Sequence, residues 1–200
     1  VVPEMVNPDS DLYRAHPEWC LRVPQREPLV SREQLVLDMS NPTVVEFLKE
    51  SFLETFRGVP IDYFKWDMNR HLTDLGSAYL DRKNQNELSH RYVLGLYQVM
   101  ETLTERFPQV LFESCSSGGG RFDAGMLYYM PQTWTSDNTD AVCRLKIQHG
   151  TSFLFPTVTM GAHVSACPNH QVGRTTPLAT RFAVAAAGNL GYELDLKKLL

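Results

Sequence analysis

Two aspartates and their neighbours carry the most chemical information in the chain. In Phe64-Lys-Trp-Asp-Met-Asn69 a lysine and an aspartate stand two positions apart at the end of a β-prone run. On a strand that spacing turns Lys65 and Asp67 to one side, and Asn69 continues the same face. A neighbouring ammonium favours the ionised carboxylate, the form a nucleophile needs. A surface lysine–aspartate pair at a strand end would leave the same pattern. The second segment, Trp134-Thr-Ser-Asp-Asn138, places Asp137 after another expected strand, three residues beyond an aromatic. Paired carboxylates are the minimum equipment for glycoside hydrolysis, provided one is charged and the other protonated at working pH. Lys65 beside Asp67, against Ser136, Asn138 and Trp134 around Asp137, suits Asp67 as nucleophile and Asp137 as general acid/base. On composition alone a helix N-cap is the simpler account of Asp137, since Ser136-Asp-Asn-Thr-Asp140 is rich in capping types.

A third segment, Glu113-Ser-Cys-Ser-Ser-Gly-Gly-Gly-Arg121, contains three consecutive glycines, which let backbone approach a ligand closely. A phosphate loop would need Lys-Ser/Thr after its glycines, and Arg121-Phe122 follows instead. Cys115 has no motif tying it to a histidine base and reads as pocket lining. His163, Cys167 and His170 have loosely zinc-like spacing but lack a fourth ligand, so no metal is expected. Trp19, Trp66 and Trp134 are ambiguous, because sugars and protein cores use aromatic faces alike.

These residues need elements to position them. Residues 10–28 read as a polar, proline-punctuated loop. A helix is expected from Pro42 to Phe56, capped by Asn41, with Pro42 in its first turn. Ile61–Trp66 reads as a strand, Arg91–Phe107 as a helix, and Val110–Phe112 as a short strand running into Glu113–Cys115. A helix at Ala124–Tyr129, a strand at Thr133–Thr135, a helix at Asp140–Gly150, a strand at Thr157–Met160, a helix at Thr176–Ala187 and a strand at Glu193–Leu196 complete the series. Strand, loop and helix in repetition predict a parallel sheet with crossover helices. Polar residues at the strand ends (Glu4, Asp67, Asn69, Glu113, Cys115, Asp137, His163) favour a closed barrel over an open doubly wound sheet.

With 19 lysines and arginines against 23 acids, the net charge of −4 leaves no basic footprint for nucleic acid. No apolar stretch approaches the roughly 18 residues of a membrane span. Four dispersed cysteines, without a C-x-x-C pair, and no N-x-S/T acceptor lean toward a reducing, cytoplasmic setting.

Taken together the motifs resemble the family 36 α-galactosidases. The resemblance rests on Lys65-Trp-Asp-Met-Asn-Arg70, Phe112-Glu-Ser-Cys-Ser-Ser-Gly-Gly-Gly-Arg-Phe-Asp123, Met130-Pro-Gln-Thr-Trp-Thr-Ser-Asp-Asn-Thr-Asp140, Met160-Gly-Ala-His-Val-Ser165 and Pro3-Glu-Met-Val-Asn-Pro8, and spans essentially the whole chain. It implies a (β/α)₈ barrel of which about strands three to eight are present, with Pro3-Glu4 ending strand three. Asp67 is implied as nucleophile after strand four and Asp137 as acid/base after strand six. Lys65, Trp66, Asn69, Cys115, Gly118 and Arg32 are implied as galactose contacts. The implied substrate is an oligosaccharide such as melibiose or raffinose, hydrolysed with retention and without metal or organic cofactor. Galactosyl transfer of the raffinose-synthase type, an α-N-acetylgalactosaminidase and a non-catalytic sugar-binding barrel are the alternatives. The whole chain, 1–200, is expected to be the C-terminal three-quarters of the barrel in a larger, homo-oligomeric parent. Alone, with open sheet edges, it is expected to be poorly soluble and nearly inactive.

Overall fold

The computed structural model describes residues 1–195 and 197. They form two compact units, residues 1–111 and the described residues from 112 onward.

In the first unit, β1 (Met5–Val6) pairs antiparallel with β2 (Leu35–Val36), Met5 facing Val36. Helix α2 (Pro42–Phe56) has the expected bounds: the Asn41 side chain accepts from the Thr43 N–H, and Pro42 occupies the first turn. Gly58 ends the segment with a left-handed φ of +71°. Strand β3 (Tyr63–Asp67) follows, then α3 (Leu88–Arg106). The α3 helix starts earlier than expected because Leu88 and Tyr92 belong to its buried stripe, with Gly95, Leu96, Val99, Met100 and Leu103. Residues 10–28 are not all loop. The Ser10 hydroxyl caps α1 (Asp11–Ala15) by accepting from Tyr13 N, and a 3₁₀ turn spans Pro17–Trp19.

An aromatic wedge joins α2 to β3. Phe52 stacks on Trp66 at 5.3 Å between ring centroids, and Phe56 lies 5.2 Å from Phe64 and 5.0 Å from Phe107. Two carboxylates are wholly buried in this unit. Glu4 receives Trp66 Nε1 at 2.8 Å and Tyr92 OH at 2.6 Å, one on each oxygen. Asp38 receives the Ser40 N–H and hydroxyl on one oxygen and the Ser77 hydroxyl on the other. Each is saturated, as a charge removed from water must be.

The second unit is a parallel sheet with helices between its strands: β4 (Leu111–Cys115), α4 (Ala124–Tyr129), β5 (Gln132–Trp134), α5 (Ala141–Ser152), β6 (Met160–Ser165), α6 (Leu178–Ala185) and β7 (Asn189–Glu193). Each strand pairs with the next in sequence: Glu113 with Gln132, Trp134 with Gly161, His163 with Gly191. The order never reverses across these four strands. Ala162 and Val164 of β6 pack with Ala185 of α6 to form a buried core cluster.

Two expected strands are displaced. Thr157–Thr159 forms a 3₁₀ turn, because the Pro156 carbonyl accepts from both the N–H and the hydroxyl of Thr159; β6 starts at Met160. The last strand runs over Asn189–Glu193 rather than Glu193–Leu196, and Leu196 lies outside the described residues. Helix α6 is trimmed to Leu178–Ala185 behind Pro177. Among the described residues no helix is long and apolar enough to cross a membrane.

Two outcomes follow for the first unit. A Cβ on Gly95 would lie 1.9 Å from the Met39 carbonyl oxygen and 3.1 Å from Val45, and backbone cannot give way as a side chain does. Gly95→Ala should therefore cost about 3 kcal/mol by overpacking, seen as a lower urea midpoint at unchanged m value. Burial, aided by Asp38 and Glu18, pushes the Cys20 thiol up from 9.0 to about 12, against a smaller lowering by Arg22. The raised folded value means this stability is complete below pH 9 and is lost as pH climbs from 9 toward 12. Cys20→Val should flatten that part of the alkaline decline, measured by urea unfolding at several pH values.

Candidate active site

Strand alternation sorts the residues of β3. Trp66 is fully buried, while Lys65 and Asp67, partly buried, point the other way. The Asp67 N–H donates to the Val1 carbonyl at 2.9 Å, and the Val1 amine donates to the Lys65 carbonyl at 3.0 Å. This is the bonding pattern of a parallel neighbour centred on Trp66. The Asp67 carboxylate is held on one side only: Asn69 Nδ2 donates to Oδ2 at 2.7 Å. The other oxygen, Oδ1, is buried and has no hydrogen-bond partner among the described residues.

Just beyond, the buried Arg70 donates through Nη1 to the Gln34 carbonyl. Gln34 closes the tight turn that carries Arg32, with Ser31 and Gln34 exchanging backbone bonds of 3.2 and 3.0 Å. Arg32 and Glu33 have φ of +53° and +60°. Two successive non-glycine residues in the left-handed region store strain, a feature concentrated at ligand sites. Arg32 is exposed at the tip of this turn.

In the second unit Asp137 is exposed, three residues past β5. It is not the cap of α5. Asp140 takes that role by accepting from Cys143 N, and its other partner is Arg174. The capping chemistry of Ser136–Asp140 is thus used, but one turn later, which leaves the Asp137 carboxylate outside the helix. It accepts a hydrogen bond from Trp134 Nε1 at 3.0 Å.

The glycine run forms the bed of this segment. Gly119 N–H donates to the Thr135 carbonyl at 3.1 Å. Gly118 has φ +88°, and a Cβ there would meet Ser136 Cα at 2.8 Å and Asp137 N at 3.2 Å. Any side chain at 118 would push the acid's backbone away. From below, Arg144 of α5 donates Nη1 to the Ser136 carbonyl (3.1 Å), Nη2 to the Gly161 carbonyl (2.7 Å) and Nε to Gln148 (3.1 Å). Its guanidinium carbon lies 4.7 Å from the Trp134 ring centroid. Burial pulls Arg144 down from 12.5 to about 10, still well charged at neutral pH.

Within the first unit the structure brings Asp67 and Asn69 together and turns Lys65 to their side. Within the second it brings Gly118 against Asp137, with Cys115 buried at the end of β4. Trp66 does not belong with them. The indole is enclosed, its N–H is spent on Glu4, and it has no surface to offer a sugar. His163 was expected at a strand end but sits inside β6, its Nδ1 2.8 Å from Glu193 Oε2 and its ring stacked on Trp134. Sequence reasoning missed Arg144 and Glu193 altogether. Neither stands in a motif; folding alone brings the helix arginine to the carbonyls of Ser136 and Gly161.

An α/β chain with parallel strands, carrying acids and amides at or just beyond their carboxyl ends, falls in the class whose sites are assembled on loops above a sheet. The chain belongs to the Melibiase family, whose model matches residues 1–200. It is 62% identical to "Alpha-galactosidase AgaA" of Geobacillus stearothermophilus over 100% of this chain and 27% of that protein. It is 54% identical to "Alpha-galactosidase 1" of Pediococcus pentosaceus over 98% of this chain and 27% of the other. Among solved structures, a variant of the GH36 α-galactosidase AgaA from Geobacillus stearothermophilus in complex with raffinose superposes with TM-score 0.98 at 61% identity, covering 100% of this chain and 28% of that one. The chain thus spans about a quarter of the length of the relatives it matches.

Arg144→Met should cost about 3 kcal/mol, because two carbonyls lose a charged donor in a buried site. Arg144→Lys should recover less than half of it, since one ammonium cannot fork between Ser136 and Gly161. Denaturant unfolding of the three proteins measures both.

Proposed function

We propose that this chain supplies both catalytic carboxylates of a retaining α-galactosidase, with Asp67 as nucleophile and Asp137 as general acid/base. Asp67 carries the reading. One of its oxygens is fixed by Asn69, and the other is buried yet engaged by no hydrogen bond among the described residues. Attack on an anomeric carbon needs an oxygen that is held in place and not already spent on the protein. Asp137 complements it: an exposed carboxyl at a strand end, anchored through a single oxygen.

The reaction is double displacement. Asp67 forms a bond to the anomeric carbon as Asp137 gives its proton to the departing oxygen. Water then enters with Asp137 as base, breaking the glycosyl–Asp67 ester and returning the proton. Two inversions at carbon restore the starting configuration. Lys65, Asn69, Arg32, Cys115 and Gly118 are the proposed sugar contacts. The substrate is a terminal α-D-galactosyl group on an oligosaccharide of the melibiose or raffinose kind, a reading supported by the raffinose bound to a relative at 61% identity.

The finer architecture is part of the same proposal: strands three to eight of a (β/α)₈ barrel within a larger, cytoplasmic, homo-oligomeric protein. Sequential pairing from β4 to β7 supports the barrel, and coverage of about a quarter of the relatives supports the larger parent.

In the full-length protein, Asp67→Asn should lower kcat by more than about a thousandfold. Asp137→Asn should lower it by about 10² to 10⁴ on melibiose. Proton NMR of the first-formed sugar should show α-galactose. First appearance of β-galactose, or near-normal turnover by Asp67→Asn, would overturn the assignment.

A further inference from the structure

Double displacement makes no use of a set of contacts in the second unit. The Trp134 indole, which donates to Asp137 Oδ1 at 3.0 Å, stacks on the His163 imidazole with centroids 4.6 Å apart and planes 26° from parallel. His163 is itself fixed on two sides. Its Nδ1 lies 2.8 Å from Glu193 Oε2. The ring also fills the place where Gly191 has no Cβ: one built there would come 2.6 Å from Cδ2 and 2.9 Å from Nε2. The β6–β7 register makes this fit possible, pairing His163 with Gly191 and Ser165 with Glu193.

We propose that His163 is a positioning residue for the acid/base Asp137, acting through Trp134; this rests on the reading of Asp137 given above. An exposed aspartate samples several rotamers unless something holds it. An indole N–H is a donor only, so the oxygen it binds, Oδ1, serves as acceptor, and the proton to be transferred sits on Oδ2. The carboxyl plane and the direction of that proton then depend on where the indole stands. The indole is packed by the imidazole wall and by the Arg144 guanidinium, whose carbon lies 4.7 Å from its ring centroid; the imidazole in turn is set by Glu193, which accepts from Nδ1–H, and by the absent side chain at 191. A misplacement of about 1 Å in such a group is enough for a loss of up to a hundredfold.

The test compares two substrates in the full-length protein. Melibiose needs its leaving oxygen protonated, whereas 2,4-dinitrophenyl α-galactoside does not. Rates are normalised to sites titrated by a fluorosugar that labels Asp67, so unfolded molecules are not counted. His163→Ala should lower kcat/KM on melibiose by about 10- to 100-fold and on the dinitrophenyl substrate far less. His163→Phe, which keeps a flat wall, should recover part of the loss. Adding His163→Ala to Trp134→Phe should do no further harm, because both act on one hydrogen bond. Equal losses on the two substrates, an unchanged rate on melibiose, or additive losses in the double variant would overturn the proposal. Asp137→Asn is the control: if it too shows no dependence on the leaving group, the acid/base assignment itself falls. If it does and His163→Ala does not, only the positioning role falls.

Discussion

A side chain on a strand can face only one of two ways, and that restriction divides core from chemistry throughout this chain. In β3 it sends Trp66 inward to Phe52 and Glu4 and turns Lys65 and Asp67 to the opposite side. In β6 it commits Ala162 and Val164 to the helix-facing core, while His163 looks toward Trp134 and Glu193. A shift of one residue in β3 would exchange the two sets, burying Asp67 and exposing the Trp66 indole, and in β6 it would trade His163 for Ala162 and Val164. The apolar positions therefore hold the polar ones in register.

That division leaves polar atoms in apolar surroundings, and the fold meets several of them with a full set of partners. Glu4 has a donor for each oxygen, Asp38 has three donors between two oxygens, and Arg144 spreads its guanidinium over two carbonyls and an amide. Asp67 Oδ1 has no hydrogen-bond partner among the described residues, a state it shares with Oδ1 of Asp140. What separates Asp67 from Glu4 and Asp38 is one unengaged oxygen, whereas each oxygen of those two has a donor.

Local signals were readable where they depend on few residues. Asn41 followed by Pro42 announces a helix start, and α2 begins and ends as the pattern implies. The Ala124–Tyr129 helix was equally plain. Both aspartates fall at or just past strand ends as read, since β-prone runs followed by polar residues are local. Other features were hidden because their cause lies elsewhere in the chain. Asn189–Glu193 contains Asn and Gly, poor strand formers, and is a strand because β6 pairs with it along its whole length, with His163 filling the space beside Gly191. Thr157–Thr159 has β-branched composition but is captured by the Pro156 carbonyl. Trp66 and Trp134 read alike; what separates them is which buried or exposed carboxylate each indole N–H meets.

The hairpin tip at Arg32 and Glu33 has a further implication. Glycine or asparagine at either position would relax a left-handed backbone that a branched-out side chain resists. Selection for heat tolerance alone would thus drift toward erasing Arg32. Were Arg32 a sugar contact as proposed, ruggedness and recognition would pull against each other at this turn, which Arg70 tethers through the Gln34 carbonyl.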